Sequence, residues 1–528
     1  MSLEQLAEKL DVSRQVATEW EGYPMKMKIS EGRTIRTAGI SLPIGRLAIF
    51  ASGCGAGSVS SAANSEQAES ADAESVSESV SADAGSDGET DAVDTVSEST
   101  EAASTEKESD HDGFTVLFTQ KTSIEQTVLY DQDNIRITAD DLKYENNQAE
   151  LDLTLENNTE QDLSFVTGSI GYGRNSINGY MTDGIWLNED VSAGMKSAET
   201  IYLDTDMLEL LGVTDIADIT LDFQISDADY NTVAETGPLQ IRTNLADTWD
   251  YSKDTYADQM TAGSFPGGLS LTLEDYQAAE LYSQNDVKIL SSALVTVAGE
   301  KTLLLEMEND SSSDAEIVVS NIAMNSLTVC DTTWDSYFIR PGCRGLIDLN
   351  FETLLYDTNS DALGLDVITS LSFTAALQDG NGNDLAAPAD VSIQLSDSEG
   401  TYDSSGEEIY SQNGIRIVSK GVTKGAQSYD EDLHLLFLVE NSSCGDLFLQ
   451  VDGSSVSVNN AMIDSFGSVE TISAGANGSM DIDLMSDSLA KNGITGPDDI
   501  RQVSMKLTIY DENYNTIDEP TLTVSYEK

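Results

Sequence analysis

One block of sequence occurs three times in this chain, and this repetition constrains the fold more than any other feature. Segments 129–137, 281–289 and 409–417 share one pattern of apolar and polar residues. Each is followed by a Glu-Asn pair and later by a glycine in an equivalent place. Because the markers keep the same order, we predict three copies of a whole domain. The markers are Glu156-Asn157, Glu308-Asn309 and Glu440-Asn441, then Gly194, Gly342 and Gly475.

Apolar residues alternate with polar ones inside each copy, as at Leu151, Leu153 and Leu155. A period of two indicates strands with one buried face, as in packed sheets. Segments 205–212 and 486–493 each end in glycine and predict a short helix. At roughly 110–130 residues each, the copies have the size of an immunoglobulin-like domain. We therefore predict a mainly β chain of three tandem immunoglobulin-like β-sandwiches, each with a short helix.

The formal net charge of −67 is unevenly distributed and argues against nucleic acid and anionic membranes as partners. Residues 55–112 hold 16 acidic side chains and a single basic one, Lys107, and contain no aromatic residue. Such a segment cannot bury enough apolar surface to offset its ordering entropy, and its charges repel one another. We predict a disordered acidic linker here.

Residues 25–54 have the organisation of a secretory signal. A basic start is followed by an apolar stretch and by Ala51-Ser52-Gly53-Cys54. These last four residues resemble the lipobox of bacterial lipoproteins, and the resemblance implies cleavage before Cys54 and a diacylglyceryl group on its thiol. The alternative is an apolar segment with an incidental cysteine. Under the lipoprotein interpretation, Met25 or Met27 is an alternative start of the protein.

Residues 2–21 predict a helix, a turn and a second helix beginning near Ser13. The segment resembles part of the helix-turn-helix of the Cro/C1 (Xre) repressor family. That resemblance implies that the second helix would contact DNA through Arg14, Gln15, Thr18 and Glu19. Two short helices bury too little apolar area to fold alone, so the alternative is a remnant without DNA-binding activity.

Residues 25–528 together resemble the immunoglobulin-like repeat lipoproteins of Gram-positive bacteria. This resemblance implies an anchored, extracytoplasmic protein. The predicted boundaries are 1–24 for the partial helix-turn-helix, 25–54 for the lipobox-like segment, 55–112 for the linker, 113–245 for the first domain, 246–272 for a second linker, 273–398 for the second domain and 399–528 for the third.

Three acidic clusters occupy equivalent positions and have two interpretations. Alternating oxygen-bearing side chains can bind Ca²⁺, the one cofactor considered for this chain. The same residue types also build hairpin turns, and the spacing of a calcium-binding EF-hand loop is missing. The clusters are Asp227, Asp229 and Asn231; Asp379, Asn381 and Asn383; and Asp511, Asn513 and Asn515.

Several other side chains are candidates for binding or structure. Trp186, Trp334 and Phe466 hold similar positions, where an aromatic ring would either stack on a sugar or partner or fill the core. Cys330 and Cys343 are candidates for a disulfide in an exported protein. The apolar neighbours of His434 predict a structural side chain that points away from the core.

No nucleophile elbow, HExxH, P-loop or dinucleotide-binding motif occurs in the sequence, and two histidines leave little for histidine-based catalysis. We therefore predict a non-enzymatic protein anchored to the bacterial cell surface through a membrane lipid. Its three domains would bind an unknown protein or glycan or serve a structural role. The alternative is a cytoplasmic DNA-binding regulator that uses the helix-turn-helix.

Overall fold

The computed structural model describes residues 117–145, 148–168, 174–265, 269–297, 299–356, 358–396, 400–424, 432–467 and 469–526. This part of the chain is mainly β and forms three units with the same topology, called here the first (117–265), second (269–396) and third (400–526) units. Each unit is a sandwich of two sheets, which confirms the predicted fold class.

The first unit contains ten strands and two helices. Its first sheet has the order β1-β2-β3-β8, and its second has the order β6-β5-β9-β4-β7 with β10 beside β9. The chain therefore builds the first sheet, crosses to the second, returns once for β8 and crosses again. The elements are β1 (Thr127–Gln132), β2 (Ile135–Glu145), β3 (Gln148–Asn157), β4 (Leu163–Thr167), β5 (Ser176–Ile177), β6 (Tyr180–Met181), β7 (Leu187–Val191), β8 (Met195–Leu203), α1 (Thr205–Leu210), β9 (Asp218–Asp227), β10 (Thr232–Arg242) and α2 (Thr255–Ala262).

The second unit repeats this path with fewer strands. Strands β11, β12, β14 and β17 join β13 in one sheet, and the other has the order β19-β18-β15-β16. Its elements are β11 (Leu271–Gln277), β12 (Tyr282–Gln284), β13 (Val287–Val297), β14 (Glu300–Asn309), β15 (Ala315–Met324), β16 (Leu327–Ile339), β17 (Arg344–Asn350), α3 (Phe351–Leu354), α4 (Ser360–Leu363), β18 (Ser370–Gln378) and β19 (Ala389–Gln394).

The third unit follows the same path again. Its first sheet has the order β20-β21-β22-β28, and its second is built around β29. Its elements are β20 (Glu407–Gln412), β21 (Ile415–Lys424), β22 (Leu433–Asn441), β23 (Leu447–Val451), β24 (Ser457–Val458), β25 (Ala461–Met462), β26 (Ser465–Gly467), β27 (Val469–Ile472), β28 (Asn477–Leu484), α5 (Ser486–Lys491), β29 (Gln502–Asp511), β30 (Thr516–Asp518) and β31 (Thr521–Ser525), with 3-10 turns at Gly453–Ser455 and Pro497–Asp499.

The repeated Glu-Asn pair marks a buried asparagine at the end of the third core strand of each unit. In the first unit, Asn157 Nδ2 donates to the carbonyls of Gln161 and Val191, each over 2.8 Å, and its Oδ1 accepts from Thr159 N over 3.0 Å. Asn309 and Asn441 make the equivalent bonds. The sequence repeats this pair because an amide side chain is needed to satisfy backbone groups buried between the sheets.

The first helix begins at Thr205, the first residue of the predicted segment 205–212, and ends at Leu210. Asp204 is its N-cap, with a carboxylate that accepts from Asp206 N over 2.9 Å and from Met207 N over 3.2 Å. Gly212 follows the helix with φ +67°. A Cβ at Gly212 would lie 2.3 Å from Thr255 O, so only glycine fits this close approach.

Residues 246–265 and 269–272 of the predicted linker have a defined structure. They include α2, whose Tyr256 and Met260 are buried in the core of the first unit, and the beginning of β11. A helix of eight residues gives too short a pattern to be recognised by its period in the sequence.

Consecutive units are joined by the same kind of contact. At the first joint, β6 pairs in parallel with β17 at Tyr180 and Arg344, and the backbone N–H of Arg344 donates to Gly179 O over 2.8 Å. At the second joint, β16 pairs in parallel with β28 at Thr328 and Gly478. In both cases a hairpin of one unit meets the fourth strand of the next unit's first sheet.

Apolar packing reinforces both joints. Ala293, Val295 and Leu304 of the second unit belong to the core cluster of the first unit. Leu436 and Leu438 of the third unit belong to that of the second. The first sheets of the second and third units are therefore buried on both faces, and the joints remove apolar surface from water.

Candidate functional site

The three acidic clusters form one type of turn. Asp511 Oδ1 accepts from the backbone N–H of Asn513 over 2.9 Å and of Asn515 over 2.8 Å. The side-chain amide of Asn515 donates to both oxygens of the same carboxylate. Asp227 with Asn231, and Asp379 with Asn383, make the same bonds. These hydrogen bonds lower the pKa of each aspartate below its usual value.

The turns therefore use the carboxylates for backbone capping, which agrees with the hairpin interpretation. An amide nitrogen, which cannot bind a cation, is the group that faces each carboxylate. Asp229, Asn381 and Asn513 contribute their backbone N–H groups to the turn. Calcium binding by these residues stays a prediction, and it would require the asparagine amides to leave the carboxylates.

A group of three aromatic residues, of which Tyr514 is exposed, lies beside the turn of the third unit. Phe448 on β23 and Tyr510 on β29 are directly opposite each other on the outer face of the second sheet. Tyr514, in the turn after β29, stacks on Phe448 with ring centroids 4.7 Å apart and an interplanar angle of 11°. Tyr514 is 63% exposed. We call these three residues the aromatic surface.

The backbone at Tyr514 has φ +58°, a conformation that favours glycine. The equivalent residue of the second unit is Gly382, with φ +76°. In the first unit it is Tyr230, with φ +61° and an exposed ring. A large side chain held in this conformation costs free energy, and such strain is common at binding sites. Tyr514 thus occupies a position where glycine would have a lower conformational free energy.

The aromatic residues singled out in the sequence are not core residues where their side chains are described. Trp186 is 62% exposed, and Phe466 is also exposed. The packing role weighed for them is therefore wrong, and their exposure leaves contact with a partner open. Trp334 lies on β16, and its side chain is outside the described part of the structure.

A group of charged residues, half-buried except for the buried Glu306, lies at the joint between the first and second units. Arg344 donates to Glu308 Oε1 over 2.8 and 3.1 Å and lies 3.2 Å from Asp254 Oδ2. Tyr180 Oη donates to Asp254 Oδ1 over 3.3 Å. Arg344 and Glu308 belong to the second unit, whereas Tyr180 belongs to the first, so the charges connect the two.

Glu306 is the most buried acid of this group. Ser291 donates to its Oε2 over 3.1 Å, and its Oε1 has no hydrogen-bond partner among the described residues. Burial and the negative charge of Asp254 raise the pKa of Glu306 to about 8, despite the opposing effect of Arg344. Glu306 is therefore largely protonated at neutral pH, which avoids a buried charge.

His434 lies between two carboxylates in the third unit. Its Nδ1 is 2.9 Å from Asp481 Oδ2 and 3.0 Å from Asp483 Oδ1. Burial lowers the pKa of His434, but hydrogen bonds to both aspartates outweigh it and raise the pKa to about 11. The side chain points away from the core of the third unit, as predicted, yet it is only 8% exposed.

The predicted disulfide between Cys330 and Cys343 requires correction, because strand register keeps the two residues apart. Cys330 lies within β16 opposite Ile322, whereas Cys343 follows the end of that strand, which is opposite Ala315. Seven residues of the partner strand separate these levels, or about 23 Å at 3.3 Å per residue. A disulfide needs Cα atoms within about 7 Å of each other.

Other predicted sites lie outside the described residues. These are the lipidation site Cys54, and Arg14, Gln15, Thr18 and Glu19 of the helix-turn-helix. Two clusters were missed in the sequence. Phe448 is 66 residues from Tyr514 and 62 residues from Tyr510, so only strand register brings the rings together. Asp481 and Asp483 alternate with apolar residues, which indicates a shared face but not the strand opposite.

Neither a protein-family model nor a curated protein matches the chain. Similar solved structures include a 1.5-MDa bacterial ice-binding adhesin, at 12% identity over 71% of this chain and 90% of that chain, with a TM-score of 0.11. They also include the exo-chitosanase CsxA of Amycolatopsis orientalis, at 7% identity over 77% and 78% of the chains, with a TM-score of 0.15. These TM-scores are too low to carry an argument about function.

No helix within the described ranges is both long enough and apolar enough to cross a membrane.

Proposed function

We propose that this chain is a non-enzymatic protein of the bacterial cell surface that is anchored by a lipid on Cys54 and binds a neutral polysaccharide. The observation that carries the proposal is the stacked pair on the third unit, in which the exposed ring of Tyr514 lies on the half-buried ring of Phe448. Soluble proteins rarely expose stacked aromatic rings without a partner, because the apolar surface remains in water.

The geometry of the aromatic surface fits a sugar ring. A pyranose has apolar C–H faces and a polar rim, so it can stack on a flat aromatic ring while its hydroxyl groups bond to neighbouring side chains. Gln450 provides such a side chain, since Tyr510 Oη lies 3.4 Å from its Oε1. The excess of acidic over basic residues would repel an anionic polymer, which favours a neutral glycan.

The remaining features support a role outside the cytoplasm. The lipobox-like residues 51–54 are followed directly by the acidic segment 55–112. An anchored protein needs this order, with a lipidation site first and a polar spacer after it. The joints between units involve both backbone pairing and apolar packing, so they would hold the third unit in a defined place relative to the first.

Affinity electrophoresis tests the ligand. The full chain is run through native gels that contain a soluble glucan, xylan or mannan. We expect retardation in at least one gel and about tenfold weaker affinity for Tyr514→Ala, which corresponds to about 1.4 kcal/mol. Tyr230→Ala is the matched control, because Tyr230 has the equivalent turn position and backbone conformation in the first unit.

Two results would overturn the glycan proposal. The first is wild-type mobility that is the same in every polysaccharide gel and in a gel without polysaccharide. The second is an equal loss of affinity for Tyr230→Ala and Tyr514→Ala, which would attribute the effect to the turn and not to the aromatic surface.

A further inference from the structure

We propose that His434, Asp481 and Asp483 form a binding site for a divalent transition-metal cation of the zinc type. Among the described residues, these three form the one group of metal-ligating side chains whose ligand atoms all lie within 4.8 Å of one another. The group is separate from the aromatic surface, and the inference does not depend on the proposed polysaccharide binding.

Strand register places the three side chains on one face. His434 on β22 is directly opposite Asp483 on β28. Asp481 lies two residues earlier on β28, so its side chain is on the same face as that of Asp483. Opposite residues of antiparallel strands have Cβ atoms about 4.5–5.5 Å apart, which brings short side chains together without a flexible loop. The site is therefore held by the sheet itself.

The ligand chemistry suits zinc better than calcium or magnesium. One imidazole nitrogen and two carboxylate oxygens form a mixed nitrogen and oxygen set, whereas Ca²⁺ and Mg²⁺ prefer oxygen alone. Three protein ligands leave a fourth position for water, as in open zinc sites. His434 Nδ1 lies 2.9 and 3.0 Å from the two carboxylates, as in an ion pair, so a zinc ion would replace the Nδ1 proton and hold the ligand atoms roughly 3.4 Å apart.

Two unsatisfied oxygens at the same place support this assignment. Asp481 Oδ1 is buried and has no hydrogen-bond partner among the described residues. The same holds for Thr423 Oγ1, and Thr423 lies on β21 directly opposite His434. Buried polar atoms usually have partners. A bound cation, or the water that it carries, would supply partners for oxygens that the described residues leave unsatisfied.

Zinc titration of the full chain tests the site. We expect isothermal titration calorimetry to resolve one high-affinity Zn²⁺ site per chain, in addition to weak binding by the many carboxylates. We also expect Zn²⁺ to raise Tm more than Mg²⁺ does at equal ionic strength. His434→Gln and Asp481→Asn should each weaken the tight binding at least tenfold. Asp403→Asn is the matched control, because it breaks the ion pair with Lys420 elsewhere in the third unit.

The proposal is overturned if the full chain binds Zn²⁺ no more tightly than Mg²⁺. It is also overturned if His434→Gln still binds one Zn²⁺ with the wild-type affinity. Cobalt provides a measurement that needs no variant, since Co²⁺ bound by four ligands absorbs visible light far more strongly than hydrated Co²⁺. Wild-type protein that leaves the spectrum of hydrated Co²⁺ unchanged contradicts the site, even if the variants fail to fold.

Discussion

Arg344→Met is expected to destabilise the second unit and its joint with the first by about 2 kcal/mol, because it leaves the half-buried carboxylates of Glu308 and Asp254 without their positive partner. Arg344 is only 17% exposed, and it bonds to Glu308 and lies beside Asp254. Methionine keeps much of the side-chain volume, so the loss reports the charge. Differential scanning calorimetry should show the transition of the second unit at a lower temperature.

Arg416→Met is the control for this effect. Arg416 pairs with Glu408 and Glu440 in the third unit in a similar way, but its side chain is 33% exposed. Exposed ion pairs contribute little, so we expect a loss within about 1 kcal/mol. Equal losses for the two arginine variants would contradict a special role for the charges at the joint.

Asn157→Ala is expected to cost the first unit about 3 kcal/mol, because three backbone groups lose their buried hydrogen-bond partner. These groups are the carbonyls of Gln161 and Val191 and the N–H of Thr159. Urea unfolding of the full chain, followed at the transition of the first unit, measures the change.

Asn188→Ala is the matched control within the same unit. Asn188 lies on β7 with an exposed side chain, and its contact with Ser164 Oγ at 3.5 Å is too long to contribute much. We expect a change of less than about 0.5 kcal/mol. An equal loss of unfolding free energy for both asparagine variants would contradict a stabilising role for the buried hydrogen bonds of Asn157.

Repetition and strand period predicted most of the fold. Leu151, Leu153 and Leu155 alternate with polar residues, and the structure buries them between the sheets. In the second unit, Leu303 and Leu305 fit the same alternation, but the structure also buries Leu304 between them, because this strand packs on both faces. Alternation alone did not predict the joint, because it does not identify the neighbouring unit.

The candidate sites were less predictable because they depend on register. The turns at Asp227, Asp379 and Asp511 follow from local residue types, so the sequence was sufficient for them. His434 and Asp483 are 49 positions apart, and only the pairing of β22 with β28 brings them together. Local patterns indicate which face a side chain occupies, but they do not determine which strand lies opposite it.

Mass spectrometry of the mature N-terminus, on protein purified from native cells, tests the proposed surface location most directly. The lipobox-like residues Ala51–Cys54 imply cleavage before Cys54, so we predict an N-terminal Cys54 that carries a diacylglyceryl group in the membrane fraction. Cys54→Ser should release the protein from that fraction. Soluble cytoplasmic protein that begins at Met1 would contradict the account.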